Sequence, residues 1–155
     1  MRAGLVLLCV LCLYQSCTSQ LLGRKCYLLG LWKNELGSNL SVTALKNGFF
    51  EGVYYTAVTS QENLVSKESP VSGWEQWNKD TLQPVFGFLV KWSFVESVTS
   101  FVGQCFMEKD GTERLETMWL MRGQAATAAE DWKQTWVGKN VFHRVTGGPS
   151  AKRTL

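Results

Sequence analysis

The stretch FGFLVKWSFVESVTSFVGQC, residues 86–105, decides the fold class because it reads as two strands joined by a short turn. Side chains alternate between the two faces of a strand. One face therefore carries Trp92 before the turn and Ser97, Thr99 and Phe101 after it. A buried face is normally apolar, since a buried hydroxyl without a partner costs about 1 to 3 kcal/mol. The mixture of rings and hydroxyls raises the question of what the hydroxyls face.

The rest of the chain repeats this pattern of short strands. Runs rich in Val, Tyr, Phe, Trp and Thr are separated by turn signals such as LKNG and EKDG. They predict eight strands, at residues 28–34, 40–45, 49–59, 64–69, 85–94, 98–108, 112–122 and 136–145. Such close spacing favours antiparallel strands paired in chain order, as in an up-and-down barrel or a sandwich. Alanines in residues 123–134 predict a helical turn or an ordered loop before the last strand.

Four further strands mix large apolar groups with polar groups on one face. The shared faces carry Trp32 with Asn34, Tyr54 with Thr56 and Val58, Thr117 with Trp119 and Met121, and Gly138 with Asn140 and Phe142. A single buried polar group is usually satisfied by its neighbours, and a strand tryptophan usually belongs to the core. A barrel interior, however, offers no free backbone donors to so many polar groups. Apolar walls with a few placed polar groups are typical of a ligand site.

The N-terminal residues indicate secretion. Residues 1–19 combine one basic residue, Arg2, with an apolar run and small residues, which is the pattern of a signal peptide. The apolar run is too short to span a bilayer, so we expect no membrane association. Two cysteines, Cys26 and Cys105, then remain and most simply form one disulfide. We expect one domain over residues 20–146 and a disordered basic tail over residues 147–155. The sequon at Asn39 predicts N-glycosylation.

Charge and histidine content argue against several function classes. Without Arg2 the chain has 15 basic and 13 acidic residues, a net charge near +2 with no basic cluster suited to nucleic acid. His143 is the single histidine, so neither a catalytic triad nor a histidine metal cluster can be assembled. We expect an exposed His143, solvated carboxylates at Glu108, Asp110 and Glu113, and a protein that is not an enzyme and uses no metal.

Five blocks give the chain a family resemblance: CYLLGLWKNELGSNLS, GVYYTAVTS, PVFGFLVKWSFVESVTSFVGQCF, TMWLMRG and DWKQTWVGKNVF. In this order and at this spacing they resemble the avidins, the secreted biotin-binding proteins, over residues 25–145. The resemblance implies an eight-stranded antiparallel up-and-down β-barrel, usually a homotetramer, with biotin at the open end and no cofactor. It also implies a disulfide between Cys26 and Cys105 and glycosylation at Asn39.

The resemblance also assigns a role to each candidate site residue. Donors to the ureido oxygen of biotin would be Asn34, Ser38 and Tyr54, and acceptors for its two N–H groups would be Thr56 and Asn140. Thr99 would meet the thioether sulfur. The ring and valeryl chain would lie against Trp92, Phe94, Phe101, Trp119 and Met121. The carboxylate would be held by Ser97 and the backbone of Ser60 and Gln61. Trp132 would reach into the site of a neighbouring subunit.

Four positions depart from the family pattern. Val95 stands in place of a serine for the carboxylate, Met121 in place of a leucine, Trp136 in place of an arginine and Lys139 in place of an isoleucine at a subunit contact. A lipocalin-like carrier of a small apolar ligand is the alternative, because lipocalins also begin with a Gly-x-Trp motif like residues 30–32. Five converging donors and acceptors favour biotin over such a ligand. A secreted structural protein that has lost binding is the third reading.

Overall fold

The computed structural model describes residues 25–58, 68–77 and 80–146, and eight strands and one short helix make up its regular structure. The strands are β1 Gly30–Asn34, β2 Asn39–Lys46, β3 Phe49–Tyr55, β4 Ser69–Gln76, β5 Val85–Lys91, β6 Ser97–Met107, β7 Glu113–Gly123 and β8 Thr135–Arg144. A 3-10 helix, Ala128–Gln134, lies between β7 and β8. It confirms the helical turn predicted in that segment.

The strands close into one barrel. Each strand pairs antiparallel with the next in the chain, and β1 also pairs with β8, where Trp32 lies opposite Arg144 and Asn34 opposite Phe142. Closure satisfies the strand edges that an open sheet would expose. The predicted eight-stranded antiparallel up-and-down barrel is therefore confirmed.

The turn between β2 and β3 shows how local sequence fixes strand register. Asn47 and Gly48 have φ values of 52° and 82°, the left-handed conformation that a two-residue hairpin requires at both positions. Asparagine and glycine tolerate this conformation best. The turn brings Lys46 opposite Phe49 and so sets the pairing of β2 with β3.

The position of the fourth strand differs from the prediction. A strand was expected at residues 64–69, but β4 covers Ser69–Gln76, and residues 64–67 lie outside the described part of the chain. The sequence of this segment does not indicate a strand, because it contains Pro70 and Gly73, and both residue types are depleted in strands. Pro70 is nevertheless accommodated opposite Val53 with an exposed ring, and Gly73 packs closely against the backbone of β5.

Aromatic rings fill the barrel. Phe88 and Phe101 stack with centroids 4.7 Å apart, and the ring of Tyr54 lies 5.8 Å from that of Phe101. Stacked and edge-to-face pairs of this kind contribute about 0.5 to 1.5 kcal/mol beyond the area that they bury. The largest fully buried side chains include Trp32, Phe50 and Phe142. The core thus occupies the half of the barrel that holds the β2–β3 turn.

Arg144 seals that end of the barrel. Its guanidinium lies 4.0 Å from the ring centroid of Trp32, donates to the carbonyl of Leu29 at 2.8 Å and pairs with the carboxylate of Glu113. Only 13% of the Glu113 side chain is exposed. The expectation of a solvated Glu113 is therefore wrong, because Glu113 lies in β7 beside β8 and meets a cation that is distant in sequence.

The disulfide between Cys26 and Cys105 fastens the segment before β1 to β6, with the two Cα atoms 5.8 Å apart. Both cysteines are fully buried. A crosslink that closes a loop of 79 residues restricts the unfolded chain, which stabilises the fold by about 4 kcal/mol in the loop-entropy estimate. The pairing that the sequence predicts is thus present.

The outer face of the barrel carries exposed apolar side chains on adjacent strands. Val102 of β6, Met118 of β7 and Val137 of β8 are 63%, 62% and 69% exposed. They lie on neighbouring strands, with Val102 opposite Met118. No helix in the described ranges is long and apolar enough to cross a membrane.

Candidate functional site

A cavity of about 710 Å³ opens at the end of the barrel opposite Arg144. It is bounded by the β1–β2 turn, the end of β3, the β5–β6 turn and the strand ends around the 3-10 helix. The structure brings most of the predicted site residues to its wall: Asn34, Ser38, Tyr54, Thr56, Trp92, Phe94, Ser97, Thr99, Phe101, Trp119, Met121 and Asn140.

The side-chain amide of Asn34 is held in one orientation. Its Oδ1 accepts hydrogen bonds from the backbone N–H groups of Leu36 at 3.1 Å and Ser38 at 2.8 Å. Since the oxygen is committed to the β1–β2 turn, the Nδ2 group points toward Tyr54, 3.4 Å from its hydroxyl oxygen. Asn34 therefore presents a donor to the cavity.

Ser38 and Tyr54 supply two more donors beside Asn34. Ser38 Oγ accepts from the backbone N–H of Ala57 at 3.0 Å, which leaves its proton for Tyr54 or for a ligand. Burial raises the pKa of Tyr54 from 10.0 to about 12, and the charge of Glu35 adds to this against the opposing hydrogen bond from Ser38. The phenol thus stays protonated at neutral pH. Asn34, Ser38 and Tyr54 thus offer three donor groups along one part of the cavity wall.

Asn140 is oriented the other way, by a residue that sequence reasoning missed. Its Nδ2 donates to Glu35 Oε1 at 3.0 Å, so its Oδ1 is left as an acceptor. The other oxygen of Glu35 accepts from the backbone N–H of Val141, also at 3.0 Å. Glu35 lies in an exposed turn, and its contact with Asn140 spans 105 residues of sequence. The local sequence pattern therefore could not predict this contact.

Thr56 supplies a second acceptor. Its hydroxyl donates to the carbonyl of Val58 at 2.7 Å and accepts from the same residue's N–H at 3.1 Å. Because the proton is engaged by Val58, the lone pair that remains on the oxygen can only accept. The cavity therefore combines three donors with two acceptors.

Aromatic rings form the other side of the cavity. Trp92 meets Tyr54 edge to face at 5.5 Å, and Phe94 lies 5.7 Å from Trp92. The indole Nε1 of Trp92 donates to Thr99 Oγ1 at 2.8 Å, which leaves the hydroxyl proton of Thr99 for a ligand. Thr99 is 2% exposed. This wall offers apolar area and one hydroxyl whose proton remains available.

The mouth of the cavity contains residues that the sequence-based site did not include. They are Leu36, Val58, Val95, Glu96, Gly123, Gln124, Gln134 and Trp136. A methyl group at Gly123 would lie 3.3 Å from the ring of Trp136, so this glycine leaves room for the indole. Trp136 shares its strand parity with Gly138 and Asn140, and that parity was the signal that could have found it.

Among the predicted site residues that the structure describes, Trp132 does not line this cavity. Ser60 and Gln61 lie outside the described residues. Trp132 lies in the 3-10 helix and is 75% exposed. Within the ranges that the structure describes, no group of three or more His, Cys, Asp or Glu side chains is placed to hold a metal ion.

Comparisons with known proteins identify the family of this chain and agree with its barrel fold. The sequence pattern of the avidin family matches residues 22–145. Avidin of Gallus gallus is 48% identical over 123 residues, which are 79% of this chain and 80% of that relative. The X-ray structure of biotin binding protein from chicken superposes with a TM-score of 0.73 at 49% identity, over 79% of this chain and 99% of that one. For the crystal structure of Xenavidin the TM-score is 0.72 at 40% identity, over 79% and 100% of the two chains. This chain belongs to the avidin family.

Proposed function

We propose that this protein binds biotin in the cavity at the open end of its barrel and holds it without catalysis. The observation that carries the proposal is the hydrogen-bonding pattern. Asn34, Ser38 and Tyr54 supply donors to the cavity wall, and Thr56 and Asn140 supply acceptors to the same wall. A cyclic urea has one carbonyl oxygen flanked by two N–H groups, so the two patterns are complementary.

The site gains affinity because its polar groups are already oriented. Asn34 and Asn140 are each 5% exposed, and their amides are fixed by bonds to the protein itself. A ligand therefore loses little free energy to reorganisation of the site, and its bonds form in surroundings with little water. Hydrogen bonds to a polarised carbonyl strengthen one another there.

The apolar parts of biotin would occupy the aromatic wall. Its ring and valeryl chain would contact Trp92, Phe101 and Trp119, with Thr99 against the sulfur. The carboxylate would end at the mouth near Ser97, with Val95 and Trp136 beside it. The charge and the chain would thus point outward, while the urea lies deep.

Membership of the avidin family and the exposed apolar outer face support further proposals about assembly. The chain would form a homotetramer, in which Trp132 of one subunit closes the site of a neighbour. This would cover a large exposed indole that its own barrel leaves uncovered. The protein would also be secreted, lose residues 1–19 as a signal peptide, and carry a glycan on Asn39.

Titration calorimetry with biotin, run alongside retinol as an apolar ligand of the lipocalin type, tests the ligand. We expect tight one-to-one binding of biotin per chain, little binding of retinol, and recovery of chemically unchanged biotin after denaturation. Tyr54→Phe removes one donor and should weaken binding by about 1 to 3 kcal/mol. Ser72→Ala, on the exposed side of β4, is the matched control and should bind like the parent. Preference for retinol, or no binding of biotin by folded protein, would contradict the proposal.

A further inference from the structure

We infer that Glu35 is a positioning residue for the ligand site, because it fixes the side-chain amide of Asn140 with its oxygen toward the ligand. This inference rests on the proposed binding of a urea-like ligand. It adds a specific residue that would touch no ligand atom itself. Its effect on the ligand bond is exerted through the side-chain amide of Asn140.

The carboxylate of Glu35 bridges two donors of β8. Oε1 accepts from Asn140 Nδ2 and Oε2 accepts from the backbone N–H of Val141, each at 3.0 Å. One bond fixes the carboxylate to the backbone and the other fixes the amide to the carboxylate. An amide held through its nitrogen must turn its oxygen the other way, into the cavity that Asn140 lines.

The fold explains why a carboxylate lies at this point. Pairing between β1 and β8 ends at Asn34 opposite Phe142, and continued pairing would place Glu35 opposite Val141. The chain then turns through residues 35–37 toward β2, with Gly37 at φ 89°. Glu35 is the first residue of this turn, and its side chain extends along β8 in place of the strand that has ended. Its carboxylate takes over the acceptor role that a further residue of β1 would have had.

The surroundings keep this carboxylate ionised. Partial burial tends to raise the pKa of Glu35, but the hydrogen bonds from Asn140, from its own backbone and from Val141, together with the charge of His143, lower it below its usual value. An ionised carboxylate has acceptors only, so it can satisfy both donors at once. A neutral side chain of the same size could not.

Glu35 therefore decides whether Asn140 turns its oxygen, an acceptor, or its NH₂ group, a donor, toward the ligand. If Glu35 is removed, the amide of Asn140 can rotate and place its NH₂ group where the oxygen was. A donor would then face the N–H of the ligand, and the ligand bond would be lost in that rotamer. Removal of Glu35 should therefore weaken the binding of biotin. The bond that is lost is the one that removal of Asn140 also eliminates.

A double-mutant cycle tests this directly, with biotin affinity measured for the parent, Glu35→Ala, Asn140→Ala and the double variant. We expect each single variant to bind about tenfold or more weakly, and the double variant to bind no more weakly than Asn140→Ala. Glu51→Ala, which removes an exposed carboxylate of β3, is the matched control and should combine additively with Asn140→Ala. Thermal unfolding checks that all variants remain folded.

Glu35→Gln gives a second cycle in case Glu35→Ala does not fold. Glutamine keeps the size but has one acceptor oxygen, which the fixed backbone N–H of Val141 requires. Its NH₂ group then faces Asn140 and draws the amide oxygen away from the ligand, so we expect the same loss and the same absence of additivity. Additive losses for Glu35 and Asn140 in either cycle, with a parent that binds biotin, would overturn this inference and leave the proposed function intact. A folded parent that does not bind biotin would overturn both.

Discussion

The ring of Trp119 crosses directly over the backbone of Gly138. The two residues are paired across β7 and β8, and a methyl group at Gly138 would lie 2.4 Å from Cζ2 of Trp119. Carbon atoms in contact stay about 3.5 to 4.0 Å apart, so any side chain at position 138 must displace the indole. The absence of a Cβ atom here therefore places an aromatic wall of the cavity.

Gly138→Ala should consequently shift Trp119 into the cavity. We expect a loss of stability of about 1 to 3 kcal/mol from overpacking and a clear loss of biotin affinity. Chemical denaturation and calorimetry measure the two effects. Gly87→Ala is the control, because a methyl group there would have its nearest neighbour at 3.5 Å, an ordinary contact. If Gly138→Ala bound biotin like the Gly87 variant, the ring would not be fixed by this contact.

Thr99 should distinguish biotin from its analogue without sulfur. Because Trp92 donates to the oxygen of Thr99, the hydroxyl proton remains for the thioether. Desthiobiotin should therefore bind the parent more weakly than biotin. Thr99→Val should reduce the difference, since it removes the sulfur's partner and retains the shape. Competition with a fluorescent biotin conjugate measures the ratio of biotin affinity to desthiobiotin affinity in both proteins. An unchanged ratio in Thr99→Val would show that Thr99 does not contact the sulfur.

Tyr54 should make folding stability fall in alkaline solution. Burial raises its pKa from 10.0 to about 12, so the folded protein retains a proton that the unfolded chain loses. The unfolded state binds fewer protons in this window, and the free energy of unfolding must decrease as pH rises from 10 toward 12. Other groups also titrate there, so the measurement is the difference between the parent and Tyr54→Phe. Parallel pH profiles for the two proteins would contradict the buried phenol.

Lys139 should weaken one subunit contact. It lies on the outward side of β8 opposite Met118, next to exposed Val137, so a cation stands in the middle of an apolar face. In a two-fold contact it would approach its own copy, and two ammonium groups lose hydration and repel. We expect Lys139→Ile to lower the concentration at which the oligomer dissociates by about tenfold or more.

Sedimentation at low protein concentration measures this for both proteins, with and without biotin. Biotin should reduce the difference in dissociation between the parent and Lys139→Ile, because a ligand that binds only the assembled site stabilises assembly. Equal dissociation of the parent and Lys139→Ile without biotin would place Lys139 outside a symmetric contact.

Strand alternation allowed much of the cavity to be predicted. Thr99 and Phe101 point inward from β6, and Trp119 and Met121 from β7, because side chains two residues apart share a face. The same alternation predicted that Lys139 lies on the outward side of β8, opposite to Asn140. The resemblance to avidins then supplied the barrel and the role of each group, which alternation alone left open.

Contacts between distant segments were beyond this kind of reasoning. Glu35 meets Asn140 and Glu113 meets Arg144 only because β1, β7 and β8 are neighbours in the closed sheet. The orientation of each amide depends on bonds of this kind. The position of β4 was hidden for another reason, since Pro70 and Gly73 are acceptable in a strand only where the tertiary structure leaves them room.

The Arg144 contact over Trp32 also bears on how a ligand would leave the site. In the described part of the chain this contact and the aromatic core close one end of the barrel, and the cavity lies at the other end. A ligand whose urea lies deep in the cavity must break its deepest hydrogen bonds before the whole molecule can leave. Affinity differences among variants should therefore appear as changes in residence time far more than in association rate. A molecule attached to the outer end of the ligand would be retained for as long as the ligand itself.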